Sequence, residues 1–161
     1  MNPAVRYEWL TNEQEQEAVA LVRRVFDANV APNFTETGRT TFHEYITLFA
    51  FSRRPGDYFA MAAFVEDTMV GVVEITDGHH VALFFVAPEQ QQRGIGRELL
   101  RQAAGRCLRH DPRPSVLTVN ASPNALNGYK RLGFTPTGDE REEQGIRFIP
   151  MELPLTGMGA A

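Results

Sequence analysis

The sequence predicts a mixed α/β (α+β) fold in the order β-α-α-β-β-β-α-β-α-β-β, with a central mixed sheet flanked by helices. Three observations predict it. Two stretches, residues 13–29 and 94–110, repeat apolar residues at helical spacing. Three apolar, β-rich runs follow one another between residues 57 and 86 with only short turns between them, the signature of an antiparallel meander. The runs HHVALFFV and SVLTVN are separated by a helix, so they should be parallel neighbours joined by a crossover.

The elements follow in order. AVRYEWL (4–10) reads as the first strand. Thr11 or Asn12 caps a helix from about Glu13 to Asn29 that carries Ala18, Leu21, Val22, Val25 and Phe26 on one face. VAPNFTETGR (30–39), broken by Pro32 and Gly38, reads as a loop. TTFHEYITLFAF (40–51) reads as a shorter helix before Arg53-Arg54-Pro55-Gly56. DYFAMAAFVE, TMVGVVEITD and HHVALFFV are strands with turns at Asp67-Thr68 and Asp77-Gly78. The long helix 94–110 buries Leu99, Leu100, Ala103, Ala104, Cys107 and Leu108, which makes Cys107 a core residue rather than a nucleophile. SVLTVN is a strand, and SPNALNGYKRLGF opens with a cap and Pro123, runs as a short helix and stops at Gly133. FTPTGDE and GIRFIPMEL close the chain as a hairpin.

Bulk properties narrow the classes of function. The 161 residues suffice for one domain, 1–161, with a proper core. A net charge of −4 without a basic stripe argues against a nucleic-acid partner. One cysteine forms no internal disulfide, and the first residues lack a cationic start with a long apolar core; the expectation is a cytoplasmic protein. No apolar run approaches the ~20 residues of a membrane span. No metal-ligand spacing such as H-E-x-x-H occurs, and neither does a G-x-S-x-G elbow, so no metal is expected.

The joint VAPEQQQRGIGRELL places two glycines one residue apart between a strand and a helix. Helix N-termini bare several N–H groups and favour anions. The dinucleotide fingerprint needs a third glycine where Leu99 stands, and the P-loop needs Gly-Lys-Ser/Thr, which is absent. What remains is Gln91-Gln92-Arg93-Gly94-Ile95-Gly96, of the form Q/R-x-x-G-x-G/A. It is preceded by Phe84-Phe85-Val86-Ala87-Pro88 and followed further on by Asn120 and then Ala125-Leu126-Asn127-Gly128-Tyr129-Lys130-Arg131-Leu132-Gly133-Phe134. With these three motifs in register, the chain resembles the GNAT superfamily of N-acetyltransferases from Val5 to Leu153, and within it small bacterial members of unassigned substrate. Gly128 departs from the larger apolar residue usual there.

The resemblance implies a partly splayed sheet with acetyl-CoA as co-substrate. Amides of Gln92 to Arg97 would wrap its diphosphate, with Gln91 opening the motif and Arg93 and Arg97 adding charge. Phe84, Phe85 and Val86 would offer backbone groups to the pantetheine arm on one side, with Asn120 and Asn124 on the other. Tyr129 occupies the general-acid position, since a phenol of pKa ~10 holds its proton at neutral pH. The base is His80, eleven residues before Gln91, or Glu74 on the preceding strand, directly or through water. The acceptor would be a small-molecule amine or an amino-terminal group. The first two helices and their loop would shape its site through Phe34, Glu36, Phe42 and Tyr45, with Glu44 as a further acid. Each of these also has an ordinary reading as a helix-packing or solvated residue. Two rival readings stay open: a non-catalytic acyl-CoA-binding regulatory module, and an ATP or NAD binder. A homodimer is compatible with a domain of this size.

Overall fold

The computed structural model describes residues 4–50, 58–111 and 115–155, without the side chains of residues 48–50. The expected Arg53-Arg54-Pro55-Gly56 break lies outside the described residues. The strands are β1 (Val5–Trp9), β2 (Tyr58–Val65), β3 (Thr68–Thr76), β4 (His80–Val86), β5 (Val116–Ala121), β6 (Thr135–Pro136), β7 (Arg141–Glu143) and β8 (Ile146–Pro154). The α-helices are α1 (Glu15–Val25), α2 (Glu36–Ala50), α3 (Ile95–His110) and α4 (Leu126–Arg131). The sheet order is β1-β2-β3-β4-β5-β8-β6, with β7 paired to β8. All pairs are antiparallel except β4 with β5.

The first helical stretch runs differently from expectation. Thr11 does start it, its N–H donating to Gln14 Oε1 at 2.9 Å, but the first turn, Asn12–Gln14, is a 3-10 turn. The α-helix ends at Val25, and the path continues as a π-helical segment, Phe26–Val30, and a 3-10 turn, Ala31–Asn33. The loop expected at 30–39 is also shorter. Helix α2 begins at Glu36, because Thr35 caps it: the Gly38 N–H donates to Thr35 Oγ1 at 3.1 Å and the Arg39 N–H to Thr35 O at 2.9 Å. Gly38 is therefore helical, and a Cβ on it would lie 2.3 Å from Gly145 O. The glycine admits the β7–β8 turn rather than breaking the helix.

The closing hairpin is also corrected. Of the strand expected at residues 134–140 only β6 forms, and β7 follows outside it, so the described residues hold one strand more than expected. The true hairpin is β7–β8, whose turn residues Gln144 and Gly145 have φ of 52° and 83°. Both positive values suit a two-residue turn.

Helices cover both faces of the sheet. Helix α3 turns Leu99, Leu100, Ala103, Ala104 and Cys107 inward, each nearly or wholly buried as its spacing predicted, and Ile95 with them, whereas Leu108, expected on the same stripe, is half-buried. A fully buried leucine or isoleucine contributes about 1.5–3 kcal/mol, so this stripe docks the helix firmly. Ile95 and Leu99 lie against Gly71 of β3, which fixes the α3 face. On the other face Tyr45 of α2 reaches Glu74 of β3, and Phe42 reaches Phe85 of β4. Desolvation pushes the Cys107 thiol up to about 11, so it stays protonated in the core.

Candidate active site

Strands β4 and β5 pair only at His80↔Thr118 and Val81↔Val119. Beyond that point β4 stays on β3 up to Gly71↔Val86, and β5 stays on β8 up to Ala121↔Ile149. The two strands therefore part at their C-terminal ends. Leu83 pairs with Glu74 and Val81 with Ile75, so Ala82 is an extra residue on β4 at the parting. Such a bulge re-aims the strand and ends local pairing. The gap leaves one edge of β4 open from Ala82 to Val86, next to an open edge of β5 that starts at Asn120.

Above the gap the chain turns into α3. Pro88–Gln90 forms a 3-10 turn, Gln92 takes φ 68°, and Gly94 caps α3 with φ 80°. The first helical bond is from the Glu98 N–H to Gly94 O at 3.0 Å. The amides of Gly94, Ile95, Gly96 and Arg97 thus form the open donor end of the helix. Gly96 sits where a Cβ would lie 3.2 Å from the Phe84 ring, which holds this helix end close to β4. The side chains around it are arranged locally. Gln91 donates to Val86 O at 3.0 Å, Arg93 bonds to Gln90 Oε1, and Arg97 donates to Arg131 O at 3.3 Å.

Tyr129 lies on the same side as Phe84, its ring centroid 5.9 Å from that of Phe84 and 5.3 Å from that of Phe134. Desolvation among these rings raises its phenol above the ordinary value, so it is a protonated donor at neutral pH. Among the described residues its hydroxyl makes no hydrogen bond. Gly128 leaves α4 intact, and a Cβ there would meet only the tip of Arg131 at 3.9 Å.

The opposite, α2-facing side carries the two base candidates. Register puts Glu74, Leu83, Phe85 and His80 on this side. Glu74 is wholly buried and accepts from Tyr45 Oη at 3.1 Å. His80 is half-buried, with Nδ1 at 2.7 Å from Thr118 Oγ1. Desolvation lowers the His80 pKa, with Asp77 opposing and His79 adding to the shift; the ring is neutral at pH 7 and able to take a proton. Thr118 was not singled out from sequence. The signal was the alternation in SVLTVN, which sets Thr118 and Asn120 on one face while Leu117 and Val119 are buried.

Other expected residues fall less directly at the gap. Asn120 is exposed beside it, whereas Asn124 donates to Asn29 O at 3.1 Å and so ties the turn before α4 to the π-helical segment. Phe42 stacks on buried Phe26 at 4.0 Å, and Phe34 meets the same ring edge-on at 5.2 Å. Phe26 anchors this aromatic wall and was read from sequence only as a core residue. Glu36 is exposed in the first turn of α2, where the helix dipole favours an acid. Among the described residues there is no group of three or more His, Cys, Asp or Glu side chains that could hold a metal ion, and no helix is long and apolar enough to cross a membrane.

An acetyltransferase (GNAT) domain model matches residues 30–155. The chain belongs to the GNAT acetyltransferase family. Solved structures agree with the fold. PaiA N-acetyltransferase from Thermoplasma acidophilum, in complex with coenzyme A, superposes with a TM-score of 0.73 at 15% identity, over 94% of this chain and 99% of that one. The apo form of YjaB from Escherichia coli gives a TM-score of 0.69 at 23% identity, over 92% and 97%. A GNAT acetyltransferase from Staphylococcus aureus gives 0.72 at 12% identity, over 94% and 99%. As a GNAT enzyme the chain catalyses acetyl transfer.

Proposed function

We propose that this enzyme moves the acetyl group of acetyl-CoA to a primary amine, on a small molecule or an amino terminus, by direct attack. The observation that carries the reading is the parting of β4 from β5 after Val81↔Val119, directly below the donor end of α3 and beside Tyr129. The helix end suits a diphosphate, and the open strand edges suit the amides of the pantetheine arm. Arg93 and Arg97 stand close enough in sequence to this end to add charge.

The amine first loses a proton, to His80 or Glu74 or to water they hold. Its nitrogen then attacks the thioester carbon, and amides on the open β4 edge near Phe85 and Val86 stabilise the oxyanion. As the C–S bond breaks, the nitrogen sheds its second proton to solvent, and Tyr129 donates its proton to the departing thiolate and later regains one from solvent. Overall an ammonium and a thioester give an amide, a thiol and one proton. Phe34, Phe42, Tyr45 and Glu36 form the acceptor wall of this reading.

Incubation with acetyl-CoA and a panel of primary amines, following free thiol, tests it. Amine-dependent thiol release and an acetylated amine are expected. Tight coenzyme A binding with no amine-dependent release would replace the reading by a non-catalytic binding module. Thermal stabilisation by ATP or NAD but not by coenzyme A would reject both.

A further inference from the structure

We propose that Thr118 is a positioning residue that accepts the Nδ1 proton of His80 and so presents the Nε2 lone pair toward the open gap between β4 and β5. The inference rests on the reading of His80 as the base. The two side chains come from different strands, paired in register at the first of the two rungs that join β4 to β5. Their contact of 2.7 Å is short for a side-chain hydrogen bond and lies in a half-buried site. The Thr118 N–H also donates to His79 O at 3.0 Å, which locks the two strands together at this point. The ring is thereby held by one nitrogen in the closed part of the sheet, one rung before the strands part, and in this proposal the other nitrogen meets acceptor or water.

A threonine suits this task for a chemical reason. Imidazole has two tautomers, and the hydrogen bond made by one nitrogen decides which nitrogen keeps its lone pair. A hydroxyl that accepts from Nδ1–H leaves Nε2 as the base. When Nε2 takes the amine proton, Nδ1–H is still donated to the same oxygen, so nothing must rotate during the transfer. The charged groups around the ring are Asp77 and His79 from the β3–β4 turn, Glu74 from β3 and Glu152, which pairs with Thr118 from β8. None of them replaces this contact, since His79 Nδ1 is turned to Asp77 O at 3.1 Å and Glu74 is held by Tyr45.

Thr118→Val keeps shape and removes the hydroxyl, while Thr118→Ser keeps it. Long-range proton–nitrogen spectra of the His80 ring, with and without acetyl-CoA, read the tautomer without any acceptor. The wild-type ring is expected with Nδ1 protonated and Nε2 bare. In Thr118→Val it should lose that preference, and Thr118→Ser should restore it. With the best amine of the panel, kcat/KM should fall about tenfold in Thr118→Val, a part of the ~10²–10⁴ that a positioned base supplies. Its acid limb should move, with acetyl-CoA affinity unchanged. An unchanged His80 tautomer in folded Thr118→Val overturns the proposal. His80→Gln separates the two readings: if its pH profile matches wild type while Thr118→Val still switches the tautomer, the tether stands and the base assignment fails.

Discussion

Gly94 turns the chain into α3 with φ 80°, in open space. Any side chain there is strained by about 1–2 kcal/mol, and in the proposed complex an acid there would also meet the diphosphate with like charge. Gly94→Glu should therefore fold yet lose measurable acetyl-CoA affinity by calorimetry; retained affinity would remove the loop from the binding site. Tyr129→Phe should lower kcat by about 10²-fold, the low end for a general acid, with acetyl-CoA affinity little changed. Unaltered turnover would take Tyr129 out of the chemistry. The lowered pKa of His80 sets a pH window for stability. The unfolded chain binds this proton at about pH 6.5 and the folded chain only at lower pH. Stability therefore rises with pH between the two values and falls as pH drops through that window. His80→Gln should flatten this acid-side loss in denaturant titrations, and a slope identical to wild type would contradict the burial argument. At this scale the sequence located Gly94 at the start of α3 and Tyr129 in the short helix α4. It was silent about Thr118, whose role depends on a partner 38 positions away.

The elements were read best where a single period decides them. Helix α3 and the β2–β3–β4 meander match their apolar patterns, and Asp77 and Gly78 take the positive φ that their turn requires. The misreadings came from tertiary contacts overruling local signals. Gly38 looked like a breaker, but it admits Gly145, and Thr35 and Thr41 donate their hydroxyls to Gly145 O and Gln144 O at 3.2 and 2.9 Å. Gly38→Ala should cost about 1–3 kcal/mol through overpacking, with Tm falling by about 2–4 °C per kcal/mol. A melting point equal to wild type would mean the turn and α2 move apart freely. Gly128 is the converse case, a helical glycine with room around it. Gly128→Ala should stabilise α4 by about 0.4–1 kcal/mol, raising Tm without loss of activity. A lower Tm would show a packing demand at that position.

Across the whole molecule, one sheet carries the acid and the base candidates on opposite sides of one gap. Phe84 and Tyr129 lie on the side of α3, while Phe85, Glu74 and His80 lie on the side of α2. The sequence showed that β4 and β5 are parallel neighbours, because a helix joins them. It did not show from local pattern where they part, since a missing neighbour leaves no mark on the apolar period; only the family resemblance implied a splay. The central claim is that the donor end of α3 holds the diphosphate of acetyl-CoA while the acyl arm runs down the gap. Amide NMR titration with acetyl-CoA tests this most directly. The account expects saturable shifts at Gly94 to Arg97 and along Phe84 to Val86, with a weaker response at Asn120. Saturable shifts confined to the far cleft around Trp9, Phe59 and Arg106, with Gly94 to Arg97 unmoved, would contradict it.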